Sequence, residues 1–307
     1  MGTAGPDRVA VGLVGLGLMG APVAARIYRG GHPLTVYNRT ASKAERFAAA
    51  SGGAARVARR PADAAAGSRV VITMVADPAA LREVTLGPGG ILEGAAAGTT
   101  LIDMSTVDPE TVRAVGEAAA ARGVGMLDAP VTGGVAGAEA GTLTLMVGGE
   151  AAVLEACRPI LQLLAKTIAH LGPLGMGAAM KLVNNICSTG YLAVAAEALV
   201  LGAKVGLDPA QMVEVLLGGS GRSEVLASRA PRVLRGDFSP GFRLKHALKD
   251  VGLAVGMAGR ANAQVPVTSA VHRVYQSAAA GGQAEHDSSA VFRWLEELNG
   301  AAVRARA

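Results

Sequence analysis

The residues best suited to chemistry in this chain are one lysine, a threonine–glycine–glycine step and a glycine-rich loop. Lys181 sits in an otherwise apolar stretch, and Asn185 follows four residues later. On a helix that spacing puts both side chains on one face. An ammonium is costly to bury, so such a lysine either extends its charge to water or is kept for function. Partial burial would lower its pKa towards the working pH, where it can give and take a proton. The "TGG" step, Thr132 to Gly134, follows an apolar run. Small residues there let backbone N–H groups face an anion such as a carboxylate; the alternative is a plain tight turn.

The stretch "GLGLMG" sets Gly15, Gly17 and Gly20 in GxGxxG spacing, with Leu16, Leu18 and Met19 between them. The first glycine permits a tight turn, the second lets a pyrophosphate approach, and the third lets helix and strand pack closely. The motif follows an apolar run and opens a helical pattern near the N-terminus, the context a dinucleotide site requires. Next comes "LTVYNRT". Asn38, Arg39 and Thr40 fall 23 to 25 residues after Gly15, where a ribose-binding acid would sit for NAD. A carboxylate would repel the 2′-phosphate of NADP, whereas an arginine pairs with it. Arg39, with hydrogen bonds from Asn38 and Thr40, therefore points to NADP as the preferred cofactor, with NAD possible.

These residues need elements to hold them. In the first half, short apolar runs alternate with helical patterns. "VAVGLVGL" (Val9 to Leu16), "LTVYN" (Leu34 to Asn38), "RVVITMV" (Arg69 to Val75), "TTLIDMS" (Thr99 to Ser105), "GMLDAPV" (Gly125 to Val131) and "LTLMVGG" (Leu143 to Gly149) read as strands. Helices are predicted between most of them, such as Ser42 to Ala50 and Pro109 to Arg122. The alternation predicts an α/β fold with a mainly parallel, doubly wound Rossmann-type sheet over 1–171. Residues 172–307 read as an all-helical domain. It begins with a proline-free stretch from about Met176 to Lys204 that reads as one long helix of about 40 Å.

The 307 residues suit two domains, and half of them are hydrophobic with 17% charged, as in a globular chain. Aromatics at 3% are too few for stacking platforms, and the net +5 is scattered, so nucleic acid is not an expected partner. A small carboxylate substrate suits the basic balance better. The apolar stretch from Val9 to Ile27 is broken by glycines and Pro22, so it reads as a buried strand and helix, not a membrane segment. Cys157 and Cys187 lack metal-ligand spacing and are too few for a disulfide framework, which fits the cytoplasm; no metal is expected.

The ordered stretches "GLVGLGLMGAPVA", "DMST", "DAPVTGGVAGAEAGTLTLMVGG", "GAAMKLVNN" and "LKHALKDVGLA" resemble the β-hydroxyacid dehydrogenases over nearly the whole chain. That family includes 3-hydroxyisobutyrate dehydrogenase, 2-hydroxy-3-oxopropionate (tartronate semialdehyde) reductase and the glyoxylate/succinic semialdehyde reductases. The resemblance implies reversible oxidation of a small 3-hydroxy acid, with Lys181 as acid/base and Asn185 orienting the substrate. It implies that Thr132, Gly133 and Gly134 hold the carboxylate; the family commonly has serine first. Thr106 of "DMST" matches a residue beside the nicotinamide. Val75 and Ala76 match a cofactor-bordering loop that often reads Leu-Pro. Lys249 matches a lysine that reaches the cofactor near the nicotinamide; by residue type alone, Lys249 and Asp250 read as a solvated charge pair. Phe242 and Ser223 are expected to line the cleft. "LKH" is nearer the glyoxylate/succinic semialdehyde branch, and Ala247 stands where tartronate semialdehyde reductases often have histidine; His246 is a substrate-facing candidate. The family's habit and the long apolar helix imply a homodimer or homotetramer.

Overall fold

The computed structural model describes residues 8–305. It forms two compact units, Met1–Lys181 and Leu182–Ala307. The first unit holds nine strands: β1 (Val11–Val14), β2 (Leu34–Tyr37), β3 (Arg56–Val57), β4 (Val70–Thr73), β5 (Thr100–Asp103), β6 (Gly125–Asp128), β7 (Val131–Thr132), β8 (Leu143–Gly149) and β9 (Ala165–His170). They lie in the order β3-β2-β1-β4-β5-β6-β8-β7, with β9 on β8. The pairs from β3 to β6 are parallel, β8 runs antiparallel to β6 and β7, and β9 is parallel to β8.

Composition explains the layering. β1 (VGLV) and β4 (VVIT) are buried at every position, as central parallel strands covered by helices on both faces must be. Leu13, Val36, Ile72, Ile102 and Leu127 share one continuous core with Val23 and Ile27 of the Gly20–Arg29 helix.

Two features depart from the sequence reading. The run Gly125 to Val131 divides into β6 and β7 around Ala129–Pro130, because Pro130 has no N–H to give a ladder. β3 and β9 were not foreseen; the first is two exposed residues and the second is mostly solvent-facing, so neither carries an apolar run. The two compact units divide inside the long helix, between Lys181 and Leu182. The helix start is bonded to the sheet unit through Asp128, so its first turns belong there.

The long helix spans Met176–Lys204. From Leu182 onward its buried face, including Leu192, Ala196, Leu199 and Val200, packs with Leu226, Val233, Leu244, Tyr275 and Phe292 of the second unit. The following helices start on local signals. Asp208 Oδ1 accepts from the Ala210 and Gln211 N–H groups at 3.0 Å, with Pro209 in the first turn. Fully buried Asp287 accepts from the Gly241, Phe242 and Ser289 N–H groups and pins the loop that leads into the Leu244–Arg260 helix.

Candidate active site

β1 delivers the chain to Gly15, whose φ of 108° suits only glycine. A Cβ on Gly15 would run into the Met74 carbonyl, and one on Gly20 would run into the Gly15 carbonyl. Those two glycines serve the fold. Gly17 is different: it is exposed, and a Cβ there would meet nothing within 4 Å. No contact in the protein demands glycine at 17, so the empty space is what a ligand lying over the loop needs. The Gly20–Arg29 helix opens with no side-chain cap and no acid in its first turn, which leaves its N-terminus suited to a pyrophosphate. The loop thus fits a dinucleotide.

At the end of β2, the Leu16 N–H donates to Asn38 Oδ1 at 2.9 Å, and Asn38 Nδ2 donates to the Thr40 carbonyl at 3.0 Å. Asn38 was expected to face a phosphate as a donor. Its amide is instead engaged in tying the glycine loop to the end of β2. Arg39 and Thr40 are exposed, and Arg39 lines a cleft of about 410 Å³. Thr40 holds the N-cap position of the Ala41–Ala50 helix without a side-chain cap bond, so its hydroxyl is available to a ligand.

The neighbouring strand ends are bound together. Asp103, 1% exposed, accepts from Thr73 Oγ1 at 2.7 Å and from the Ser105 N–H at 3.2 Å. Ser105 Oγ in turn accepts from the Val75 N–H at 2.9 Å. This chain of bonds ties the Val75–Ala76 loop after β4 to the Ser105–Thr106 loop after β5. Both lie at the carboxyl ends of parallel strands, where open α/β sheets bind ligands. Burial pushes the Asp103 carboxyl up to about 6, although the bonds from Ser105 and Thr73 pull it down.

The start of the long helix is fixed by Asp128 at the end of β6. Its carboxylate is fully buried; Oδ1 accepts from the Gly175 N–H at 2.8 Å and Oδ2 from the Ala178 N–H at 2.6 Å. Gly148 and Gly177 close around it, and a Cβ on either would press on Asp128. Burial raises the Asp128 carboxyl above the usual carboxylate range, against the pull of the backbone N–H groups. One turn beyond Ala178, half-buried Lys181 donates from Nζ to the Val131 carbonyl at 2.7 Å. Val131 opens β7, so the ammonium stands beside the Thr132–Gly134 loop. Gly133 and Gly134 hold φ values of 123° and 63°, and the Thr132 hydroxyl has no hydrogen-bond partner among the described residues. Lys181 and the loop expected to hold a carboxylate are therefore brought together.

In the second unit, Asn185 is 5% exposed. Its Nδ2 donates to Asp250 Oδ2 at 2.7 Å, and its Oδ1 accepts from Asn184 at 3.0 Å. Asp250 is itself buried, with Lys249 Nζ 2.9 Å from Oδ1 as an ion pair lacking hydrogen-bond alignment. The reading of Lys249 and Asp250 as a solvated pair is thus corrected: Asp250 is the buried anchor of Asn185. His246 stacks on Phe242 with ring centroids 6.3 Å apart, and burial, then Lys249, lowers its pKa. Ser223 caps the Glu224–Leu234 helix by accepting from the Leu226 N–H at 3.1 Å.

Asp103 and Asp128 were passed over in the sequence. The available signal was an acid closing an apolar strand, since such a residue is rarely buried without partners. Among the described residues no group of three or more His, Cys, Asp or Glu side chains is placed to hold a metal.

Residues 10–172 match the model of the NAD binding domain of 6-phosphogluconate dehydrogenase, and residues 175–295 that of the NAD-binding region of NADP-dependent 3-hydroxyisobutyrate dehydrogenase. The 2-(hydroxymethyl)glutarate dehydrogenase of Eubacterium barkeri is 37% identical over 296 residues, covering 96% of this chain and 97% of that protein. The structure of Mycobacterium tuberculosis 3-hydroxyisobutyrate dehydrogenase with L-serine superposes with a TM-score of 0.83 at 34% identity, covering 94% and 99% of the two chains. Psf3 in complex with NADP+ and 2-OPP gives a TM-score of 0.86 at 28% identity, covering 93% and 100%.

Proposed function

Because the chain belongs to the β-hydroxyacid dehydrogenase family, NAD(P)-dependent oxidoreductases acting on CH–OH groups, we propose that it interconverts a small 3-hydroxy acid and its semialdehyde. The observation that carries this reading is the Lys181 ammonium 2.7 Å from the Val131 carbonyl, beside the Thr132–Gly134 loop. A carboxylate on that loop sets the carbon β to it within reach of Lys181. The bound nicotinamide dinucleotide supplies the hydride in reduction and accepts it in oxidation. Lys181 holds the proton: the ammonium stabilises the carbonyl oxygen as charge develops there and then protonates it, and the neutral amine takes the proton back in oxidation. Asn185, fixed by Asp250, orients the substrate oxygen. Arg39 and Thr40 favour NADP over NAD.

The substrates expected are those of the 3-hydroxyisobutyrate or 2-hydroxy-3-oxopropionate type. The Eubacterium relative's named substrate, a hydroxymethyl dicarboxylic acid, also carries its carbinol β to a carboxylate. A second reading, glyoxylate or succinic semialdehyde reduction, is favoured by "LKH" and by His246 packed on Phe242. The lysine itself disfavours a non-catalytic scaffold. Exposed Tyr191, Val194 and Leu201 on the long helix support a homodimer or homotetramer, which sedimentation at micromolar concentration checks. By length and composition alone this helix is apolar enough to cross a membrane; the charged Lys181 and the packed face from Leu192 to Val200 favour the oligomer reading. The two free cysteines, one buried and one exposed, suit the cytoplasm.

The test is an activity screen of 3-hydroxyisobutyrate, glycerate, 2-(hydroxymethyl)glutarate and 4-hydroxybutyrate, with their oxidised partners and both cofactors. Turnover of a 3-hydroxy acid with NADP ahead of NAD is expected. Turnover of 4-hydroxybutyrate alone would move the assignment to the second reading, and no turnover at all would move it to a scaffold.

A further inference from the structure

Two arginines line the same cleft. Arg39 follows β2, Arg59 follows β3, and both line the space of about 410 Å³ together with Tyr37, Asn38 and Glu45. In the sequence Arg59 is one of three arginines in "RVARR", Arg56 to Arg60. The structure separates it from its neighbours. Arg60 is paired with Asp63 at 2.9 Å, and Arg56 donates to the Asp63 carbonyl at 3.4 Å. The Arg59 backbone helps hold the Asp63 carboxylate, but the side chains of Arg39 and Arg59 make no hydrogen bond or ion pair among the described residues.

Their placement is fixed by backbone. β2 and β3 pair in parallel with Thr35 opposite Arg56 and Val36 opposite Val57, and the Ala58 N–H donates to the Val36 carbonyl at 2.8 Å. Continuing that register by two residues sets Arg59 opposite Asn38 and next to Arg39. Adjacent strands lie about 4.8 Å apart. Two arginines from neighbouring strand ends thus line one opening. Glu45 on the cleft wall is a single opposing carboxylate, so two guanidinium groups leave the cleft positive. Asn38, opposite Arg59 in that register, has its amide engaged with the glycine loop and the Thr40 carbonyl and cannot take the place of either arginine.

We infer that Arg59 is a second specificity-determining ligand of the cofactor's 2′-phosphate, acting with Arg39 from the end of the neighbouring strand. The inference rests on the NADP reading of this site. A phosphate dianion accepts charge-assisted hydrogen bonds from two guanidinium forks at once, and each fork is geometrically matched to phosphate oxygens. An NAD ribose offers only a neutral hydroxyl there, so Arg59 discriminates between the cofactors instead of raising affinity for both.

The test is calorimetric titration of the full-length protein with adenosine 2′,5′-bisphosphate and with 5′-AMP, which differ only by the 2′-phosphate. Wild type, Arg59→Gln, Arg39→Gln and the double variant are compared at two salt concentrations. Arg59 is exposed, and matching melting curves establish that its variant is folded. Arg59→Gln is expected to weaken the bisphosphate about 10-fold, leave 5′-AMP within about 2-fold, and flatten the salt dependence. If Arg59→Gln binds both ligands as wild type does while Arg39→Gln loses the bisphosphate, the role of Arg59 is refuted and the NADP reading stands. Equal weakening of both ligands also refutes it. If the wild type itself does not distinguish the two ligands, the NADP reading fails and the inference falls with it.

Discussion

Replacing Asp128 tests how Lys181, the proposed acid/base, is held. Its carboxylate does for the long helix what an N-cap side chain normally does, but from a strand 50 residues earlier: Oδ2 accepts from the Ala178 N–H at 2.6 Å and Oδ1 from the Gly175 N–H at 2.8 Å. A hydrogen bond to a charged group contributes about 1.5–3 kcal/mol net, so two contribute roughly 3–6 kcal/mol. The positive end of the helix dipole adds a little. Burial works against this and raises the carboxyl's pKa, which takes part of the gain away. Asp128→Ala would leave two buried N–H groups without a partner between Gly148 and Gly177, where side-chain room is lacking. A loss of about 3–5 kcal/mol is expected. Asp128→Asn keeps one acceptor but turns an NH₂ group towards an N–H, for a loss of about 2–4 kcal/mol. Because Ala178 is one turn from Lys181, Asp128→Asn should also lower kcat about 10-fold or more while cofactor affinity changes by less than about 3-fold. Urea unfolding followed by circular dichroism, together with steady-state kinetics and cofactor titration, reads all three quantities. A variant within about 0.5 kcal/mol of wild type and with unchanged kcat would refute the reasoning, since surface-like substitutions fall in that range.

Other expectations follow from the same geometry. Gly17→Val should melt like wild type yet lose cofactor affinity at least about 10-fold, whereas Gly20→Val should lower the melting temperature sharply, because only the second meets backbone; thermal melts and NADPH fluorescence titration separate the two. The Asp103 carboxyl is raised to about 6, so the native chain holds a proton that the unfolded chain releases near 4. Its stabilising contribution is fully present below about pH 4 and is lost as pH rises through 6, leaving a cost of at most about 3 kcal/mol at pH 7. Asp103→Asn keeps an acceptor for Thr73 and Ser105, so it should be as stable as wild type or more so at pH 7, with the advantage vanishing towards pH 4. A stability difference between the two that is flat from pH 4 to 7 would contradict this.

Much of the scaffold was legible because its signals are local. The absence of proline and the continuous apolar character from Met176 to Lys204 marked one helix, and the structure has that helix over those residues. The run Leu143 to Gly149 is a strand throughout. What the sequence concealed depends on distant backbone. Nothing near Asp128 announces that its partners are N–H groups 47 and 50 residues on. Asn38 carries no mark that it would bond the glycine loop 22 residues back rather than a phosphate. Asp250 beside Lys249 has the composition of a solvated pair, and only the packing of the Leu244–Arg260 helix against Asn185 shows that it is buried. Arg59 was hidden for the opposite reason: three arginines in five residues look alike until the structure shows which one lines the cleft.

The central claim is that Lys181 carries the proton. Lys181→Met keeps the apolar stem and removes the ammonium. The decisive measurement is kcat for the best substrate found, with cofactor saturating, alongside the cofactor Kd of the same variant. Loss of a positioned acid/base predicts kcat lower by roughly 10²–10⁴-fold with a cofactor Kd within about 2-fold of wild type. Turnover at the wild-type rate with cofactor binding intact would contradict the account.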